Sequence, residues 1–243
     1  MLFEGSIFVR KLLDSYGFYE TENINTEWNY DILSPQRDKD NARNAAFTAC
    51  SLSCFHDAAL DHAIRYRGTQ DNNWLVRFIG FDLSLFSYDE LFKTSALAYL
   101  AFYLMQMQSP LRLETPVIDA HNGLTYIAGI AQDESNISLL ISNFDVGDTE
   151  YTVTLDNIPW DSSYRVVRYL IDDDHHFQIV QQTIENESSC SFTKTIQSGT
   201  IHFIRLTNSQ TNPDEGPETL EIPFILRIKL FDVLGQILGV LLL

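Results

Sequence analysis

The run Asn23-Ile-Asn-Thr-Glu-Trp-Asn-Tyr30 sets a carboxylate, an indole and an amide side by side, where a short apolar stretch gives way to the polar loop 31–40. Cleavage at a sugar's anomeric carbon develops positive charge there, and a fixed carboxylate is the group that meets it. Glu27 is therefore a candidate catalytic residue, with Trp28 and Asn29 as candidates to shape a sugar subsite. The same residues also describe a surface Glu beside a core Trp. Other clusters carry less chemistry. Cys50 and Cys54 stand four apart on an expected helix with His56 and His62 nearby, but the spacing matches no zinc pattern. With Cys190 they make three cysteines, which do not form a disulfide framework. The run Asp172-Asp-Asp-His-His176 reads as a solvated loop, because it lacks the ligand spacing of a calcium or zinc site. No metal and no cofactor are expected.

Order along the chain sharpens the first reading. Lys11-Leu-Leu-Asp-Ser-Tyr-Gly17, then Glu22, then Thr26-Glu27-Trp28-Asn29-Tyr30 resembles family 39 of the glycoside hydrolases, which includes β-xylosidases and α-L-iduronidases. The resemblance implies a retaining enzyme with a (β/α)₈ barrel followed by a β-sandwich. It also implies that the nucleophile is the Glu of a Thr/Asn-Glu-Trp-Asn segment ending the seventh barrel strand, here Glu27. Asp82, ending the next expected strand, matches a family position where an acidic residue faces the substrate; a helix N-cap or loop carboxylate fits it equally. The substrate class implied is a xyloside- or uronide-type carbohydrate.

One absence qualifies the match. A retaining glycosidase uses two carboxyl groups about 5–5.5 Å apart, and the family's acid/base is the Glu of an Asn-Glu-Pro segment. This chain has no Asn-Glu-Pro, and its Asn186-Glu187 lies in the β-rich region. A full barrel takes roughly 250 residues, whereas residues 1–108 precede the β-rich region here. The resemblance is thus to the last part of a barrel, a sandwich and a tail, with the missing barrel half as an expected partner. A non-catalytic carbohydrate-binding or membrane-associated surface protein derived from such an enzyme is the second reading.

The elements that must position these residues follow from periodicity. A helix is predicted over residues 3–17, with Phe8, Leu12 and Leu13 on one side and Gly17 closing it. A strand is predicted over 23–28, and a helix over 39–66 from alanines at three- and four-residue spacing. Trp74 to Asp82 reads as a continuous apolar strand of the kind covered on both faces, and 95–107 as an apolar helix. From Ser109 the pattern changes to short alternating segments at 125–130, 137–142, 151–155, 164–171, 191–196 and 200–206, the signature of a β-sandwich. The expected domains are a partial barrel over 1–108, a sandwich over 109–208, a linker over 209–221 and a tail over 222–243. Tyr126, Trp160 and Tyr164 are candidates to stack on sugars, though core packing is the commoner use of such residues.

Composition bounds the partners. With 33 acidic against 16 basic residues the net charge is −17, which argues against nucleic acid, whose binding rests on cationic contacts to phosphate. At 45% hydrophobic the chain can build a core. The first residues carry no basic segment ahead of an apolar run, so no signal peptide is expected, and localisation stays open. In the tail, Lys229, Asp232, Gln236 and Gly239 fall on one helical stripe opposite leucines, isoleucine and valine. The uncharged part, 233–243, is too short to span a bilayer. The expectation is a helix lying in a membrane interface or packing on the missing barrel part.

Overall fold

The computed structural model describes residues 2–31, 39–58, 60–69, 82–87, 91–116, 123–160, 163–186 and 189–208. The expected strand before Asp82, the linker at 209–221 and the tail at 222–243 lie outside the described residues.

The first half alternates helix and strand. Helix α1 (Leu2–Ser15) leads into β1 (Ile24–Trp28). The turn between them is stapled by Arg10, which pairs with Asp14 (2.7 Å) and donates to the carbonyls of Phe18 and Thr21 (2.6 Å each). Helix α2 (Ala42–Asp57) starts at Asn41, whose side chain accepts from the Asn44 N–H, an ordinary N-cap. Asp173 adds a second acceptor at that helix end, for the Ala42 N–H (3.0 Å).

The helix predicted over 39–66 is shorter than its pattern suggests. It stops at Asp57, and His62–Arg65 form β2, parallel to β1 with Ile24 opposite His62 and Trp28 opposite Arg65. No Gly or Pro signals the break. What enforces it is pairing with β1: Asp61 accepts from the Asn23 N–H (2.7 Å) and its own N–H donates to the Asn23 carbonyl (3.1 Å). Helix α3 (Thr94–Gln108) packs on α2, and Ala45, Ala46, Ala49, Ala98 and Ala101 are fully buried. Small residues let the two axes approach closely.

The second half is a six-stranded antiparallel sheet with a separate two-stranded ribbon. The sheet runs β3 (Leu111–Arg112), β4 (Leu124–Ile130), β5 (Asn136–Asn143), β10 (Thr200–Asn208), β7 (Tyr164–Ile171), β8 (His176–Glu185). The ribbon pairs β6 (Thr149–Leu155) with β9 (Cys190–Ile196). All of β5 is buried because both its faces are covered. On one face Ser142 donates to the Ala46 carbonyl of α2 (2.8 Å), and Ser138 meets Ser109 at the end of α3 (2.9 Å). On the other, Ile137, Leu139 and Ile141 share one core with Val166, Ile204 and Leu206 of the sheet and with Tyr151, Val153, Cys190 and Ile196 of the ribbon. Contacts therefore run across residue 109, and the described residues on both sides of it belong to one compact unit. Gly129 shows how closely: a Cβ there would lie 2.2 Å from the Ser109 carbonyl oxygen.

Six of these strands are the predicted ones, extended by up to two residues at an end. The two-residue β3 is not among the predicted strands, and neither is β8. The ribbon-facing side of β8 carries Gln181, Thr183 and Glu185, opposite Arg168, Val166 and Tyr164, while Ile184 is exposed, so the usual alternation is inverted.

Candidate functional site

Glu27 is the penultimate residue of β1 and is exposed; Trp28, next to it, points the other way and is 3% exposed. That is the period-two geometry of a strand. The indole lies edge-on to Phe55 (centroids 5.2 Å) and near Phe47 and Tyr99, so Trp28 is a core residue rather than a sugar platform. Under it sits Arg65, its guanidinium carbon 5.3 Å from the ring centroid. Arg65 ends β2, is buried, and donates to Thr48 Oγ1 and to Asn44 Oδ1 on α2. Burial lowers its pKa from the ordinary arginine value, and burial also pushes the neighbouring Tyr99 phenol up to about 12, against the opposing pull of the Arg65 charge. Glu27 thus stands at the open end of a strand whose position is locked from behind.

Asn29 is half-buried and occupied by the backbone. Its amide donates to the Leu83 carbonyl (2.9 Å), and its oxygen accepts from the Tyr30 N–H (2.7 Å). This brings the segment beginning at Asp82 alongside the end of β1. Asp82 itself is 3% exposed. One carboxylate oxygen accepts from the Ser84 N–H (3.0 Å) and hydroxyl (2.6 Å), and the other pairs with Lys93, which also reaches Asp40 (2.9 Å). Burial pushes the Asp82 carboxyl up, but hydrogen bonds from Lys93 and Ser84 outweigh it and leave it below its usual range. In this structure Asp82 is a buried loop carboxylate in an ion-paired cluster. Lys39 is buried beside that cluster, where desolvation lowers its pKa against the charges of Asp31, Asp40 and Asp82. The sequence singles out Asp82 but not Lys93, 11 positions on, nor Asp40, which joins the cluster through Lys93; no local pattern marks either.

The remaining candidates are structural. Trp160 and Tyr164 are buried, their polar atoms donating to the carbonyls of Glu134 (2.8 Å) and Ser189 (3.1 Å), which removes both as stacking surfaces. Tyr126 is half-buried against the core between sheet and ribbon. Asp172 folds back on its own loop, accepting from the N–H groups of Asp174 (2.9 Å) and His175 (2.7 Å). Cys50, Cys54 and Cys190 are free thiols. Among the described residues no group of three or more His, Cys, Asp and Glu side chains could hold a metal ion, and no helix is long and apolar enough to cross a membrane.

No protein-family model matches the chain, and no curated protein is similar to it in sequence. Solved structures are similar in fold. A glucosidase from Croceicoccus marinus superposes with a TM-score of 0.68 at 23% identity, over 84% of this chain and 49% of that one. A GH39 enzyme from Xanthomonas axonopodis pv. citri gives 0.63 at 12% identity, over 85% and 48%. A monomeric β-xylosidase from Caulobacter crescentus gives 0.58 at 11% identity, over 84% and 49%. The chain spans about half the length of these enzymes and shares its fold with that half.

Proposed function

We propose that this chain is the C-terminal part of a retaining glycoside hydrolase resembling family 39, comprising the last strands and helices of a (β/α)₈ barrel and a β-sandwich. Glu27 is its nucleophile, and another polypeptide segment supplies the acid/base. The observation that carries this reading is the overlap of 84% of this chain with 49% of a glucosidase. The exposed position of Glu27 at the C-terminal end of a parallel strand supports its role, because barrel active sites lie at that end. Attack by the Glu27 carboxylate on the anomeric carbon would form a glycosyl ester and expel the aglycone. A water molecule would then hydrolyse that ester with retention of configuration. Asn29 and Trp28 act in this scheme by holding the strand end, and the Asp82–Lys93–Asp40 cluster fixes the loop that Asn29 binds.

The same reading accounts for α1 and the turn that follows it. Phe8 (64% exposed), Leu12, Tyr16 (74%), Phe18 and Tyr19 present apolar surface that a preceding barrel unit would cover.

The test begins with the DNA upstream of Met1. A frame encoding a strand ending in Asn-Glu-Pro supports the reading, and a frame without one removes it. Co-expressed with that frame, this chain should hydrolyse aryl β-xylosides, and a 2-deoxy-2-fluoro glycoside should label Glu27. Labelling of another residue, or full turnover by Glu27→Ala, would refute the assignment of the nucleophile.

A further inference from the structure

The gap between sheet and ribbon is apolar at its centre and polar at one flank. There β8 turns Gln181, Thr183 and Glu185 toward the ribbon, opposite Arg168, Val166 and Tyr164 of β7. From the ribbon, β9 contributes Lys194 at an inward position, paired with the buried Tyr151 and flanked along the strand by exposed Thr193 and Thr195. These side chains, with Phe192 as an apolar wall, line a cavity of about 110 Å³ that opens to solvent.

Its charge pattern is unusual for this chain. Arg168 spends one N–H group on His202 Nε2 (3.3 Å), and its Nε is buried without a partner. Lys194 makes no hydrogen bond or ion pair among the described residues, and neither cation has a carboxylate partner there. Both facts hold in a protein with 33 acidic residues against 16 basic. Glu185, the carboxylate lining the cavity, sits four residues along β8 from Gln181, roughly 13 Å away by the rise of a strand. Two like charges facing one partly desolvated space repel each other, and an anion placed between them converts that repulsion into two attractions.

We propose that this cleft between β8 and β9 binds a hydroxylated carboxylic acid of the sugar-acid class, its carboxylate held by Arg168 and Lys194. A guanidinium offers a planar fork that matches a carboxylate, and an ammonium adds a point charge beside it. The volume sets the ligand's size. A single water needs roughly 10–15 Å³, so the cavity holds roughly seven to eleven water-sized groups, room for a carboxylate with several of the carbons and hydroxyls next to it but not for an oligosaccharide. The ligand's remaining atoms run outward past Gln181 and Thr183, which bond hydroxyls. The inverted pattern of β8 has its reason here: a polar inward face is needed for a wet cleft. The proposal rests on the sheet and ribbon alone and is independent of Glu27.

The test is titration of the ¹⁵N-labelled chain, residues 1–243, with glucuronate, xylose, acetate and inorganic phosphate, read by chemical shifts. Glucuronate should move the Arg168 side-chain N–H and the amides of β8 and β9 and saturate, xylose should not, and acetate and phosphate should bind more weakly. Lys194→Met should fold normally, because Lys194 has no hydrogen-bond or ion-pair partner to lose among the described residues, and should weaken glucuronate binding by roughly tenfold or more. Glu27→Gln should bind like the parent. No response to glucuronate, unchanged affinity in Lys194→Met, or acetate or phosphate binding as tightly as glucuronate would each overturn the proposal.

Discussion

His202 makes the stability of this fold depend on pH in a way that can be worked through. The ring is 3% exposed between sheet and ribbon, with Nδ1 2.8 Å from the Tyr151 hydroxyl and Nε2 3.3 Å from an Arg168 nitrogen. A guanidinium can only donate, so Nε2 must accept and the imidazole is neutral, its Nδ1–H donating to Tyr151. Burial, reinforced by the charges of Arg168 and Lys194 and opposed by Asp172, pushes its pKa down to about 4 from 6.5. The folded value is the depressed one. The unfolded chain therefore takes up a proton as pH falls through 6.5, while the folded protein does not until about 4. The stability is fully present above 6.5 and is lost as pH falls toward 4. At about 1.4 kcal/mol per pK unit the whole effect is on the order of 3 kcal/mol, and about 2 kcal/mol of it is gone by pH 5. Urea denaturation, followed by tryptophan fluorescence from pH 8 to 4.5, should show it as a difference between the parent chain and His202→Gln, which cancels contributions from other titrating groups. Parallel stability profiles would refute the reasoning. So would an imidazole that titrates near 6.5 by NMR in the folded parent chain, a measurement that does not depend on how well the variant folds.

Three further outcomes can be measured. Asp82→Asn should cost about 3–5 kcal/mol, the usual effect of removing one member of a buried pair, because Lys93 is only 9% exposed and keeps Asp40 alone; adding Lys93→Met should recover part of the loss in urea titrations. The chain expressed by itself should sediment as an oligomer through the exposed face of α1 and the turn after it, and Phe8→Ser with Leu12→Ser and Phe18→Ser should shift it toward monomer; a parent chain that is already monomeric would show that this face does not associate. Vesicle flotation decides between the two readings of residues 222–243: a full chain that rises with the lipid while a chain lacking them does not supports a helix in the membrane interface, and both forms staying in the soluble fraction would exclude membrane contact and favour packing on the missing barrel part.

What residue order alone determined is local. Strands β4, β5, β7 and β10 carry β-branched and aromatic runs between turn residues, and α3 carries an uninterrupted apolar helix pattern; both signals arise from neighbours in the chain. The Glu27-Trp28 pair could be seen as a carboxylate beside an apolar anchor, because a strand necessarily sends adjacent side chains to opposite faces. Tertiary structure decided the rest. Residues 62–65 continue a helical pattern, yet hydrogen bonds to β1, more than thirty positions earlier, draw them into a parallel strand. Strand β8 escapes a periodicity reading because its inward face is polar. Asp82 reads from sequence equally as a substrate-facing acid and as a loop carboxylate, and only its pairing with Lys93, which also holds Asp40, places it in a buried loop cluster. Likewise Arg65 reveals its place under Trp28 only once α2 has packed over both. Charges and polar side chains acquire partners through space, and sequence spacing does not record who those partners are.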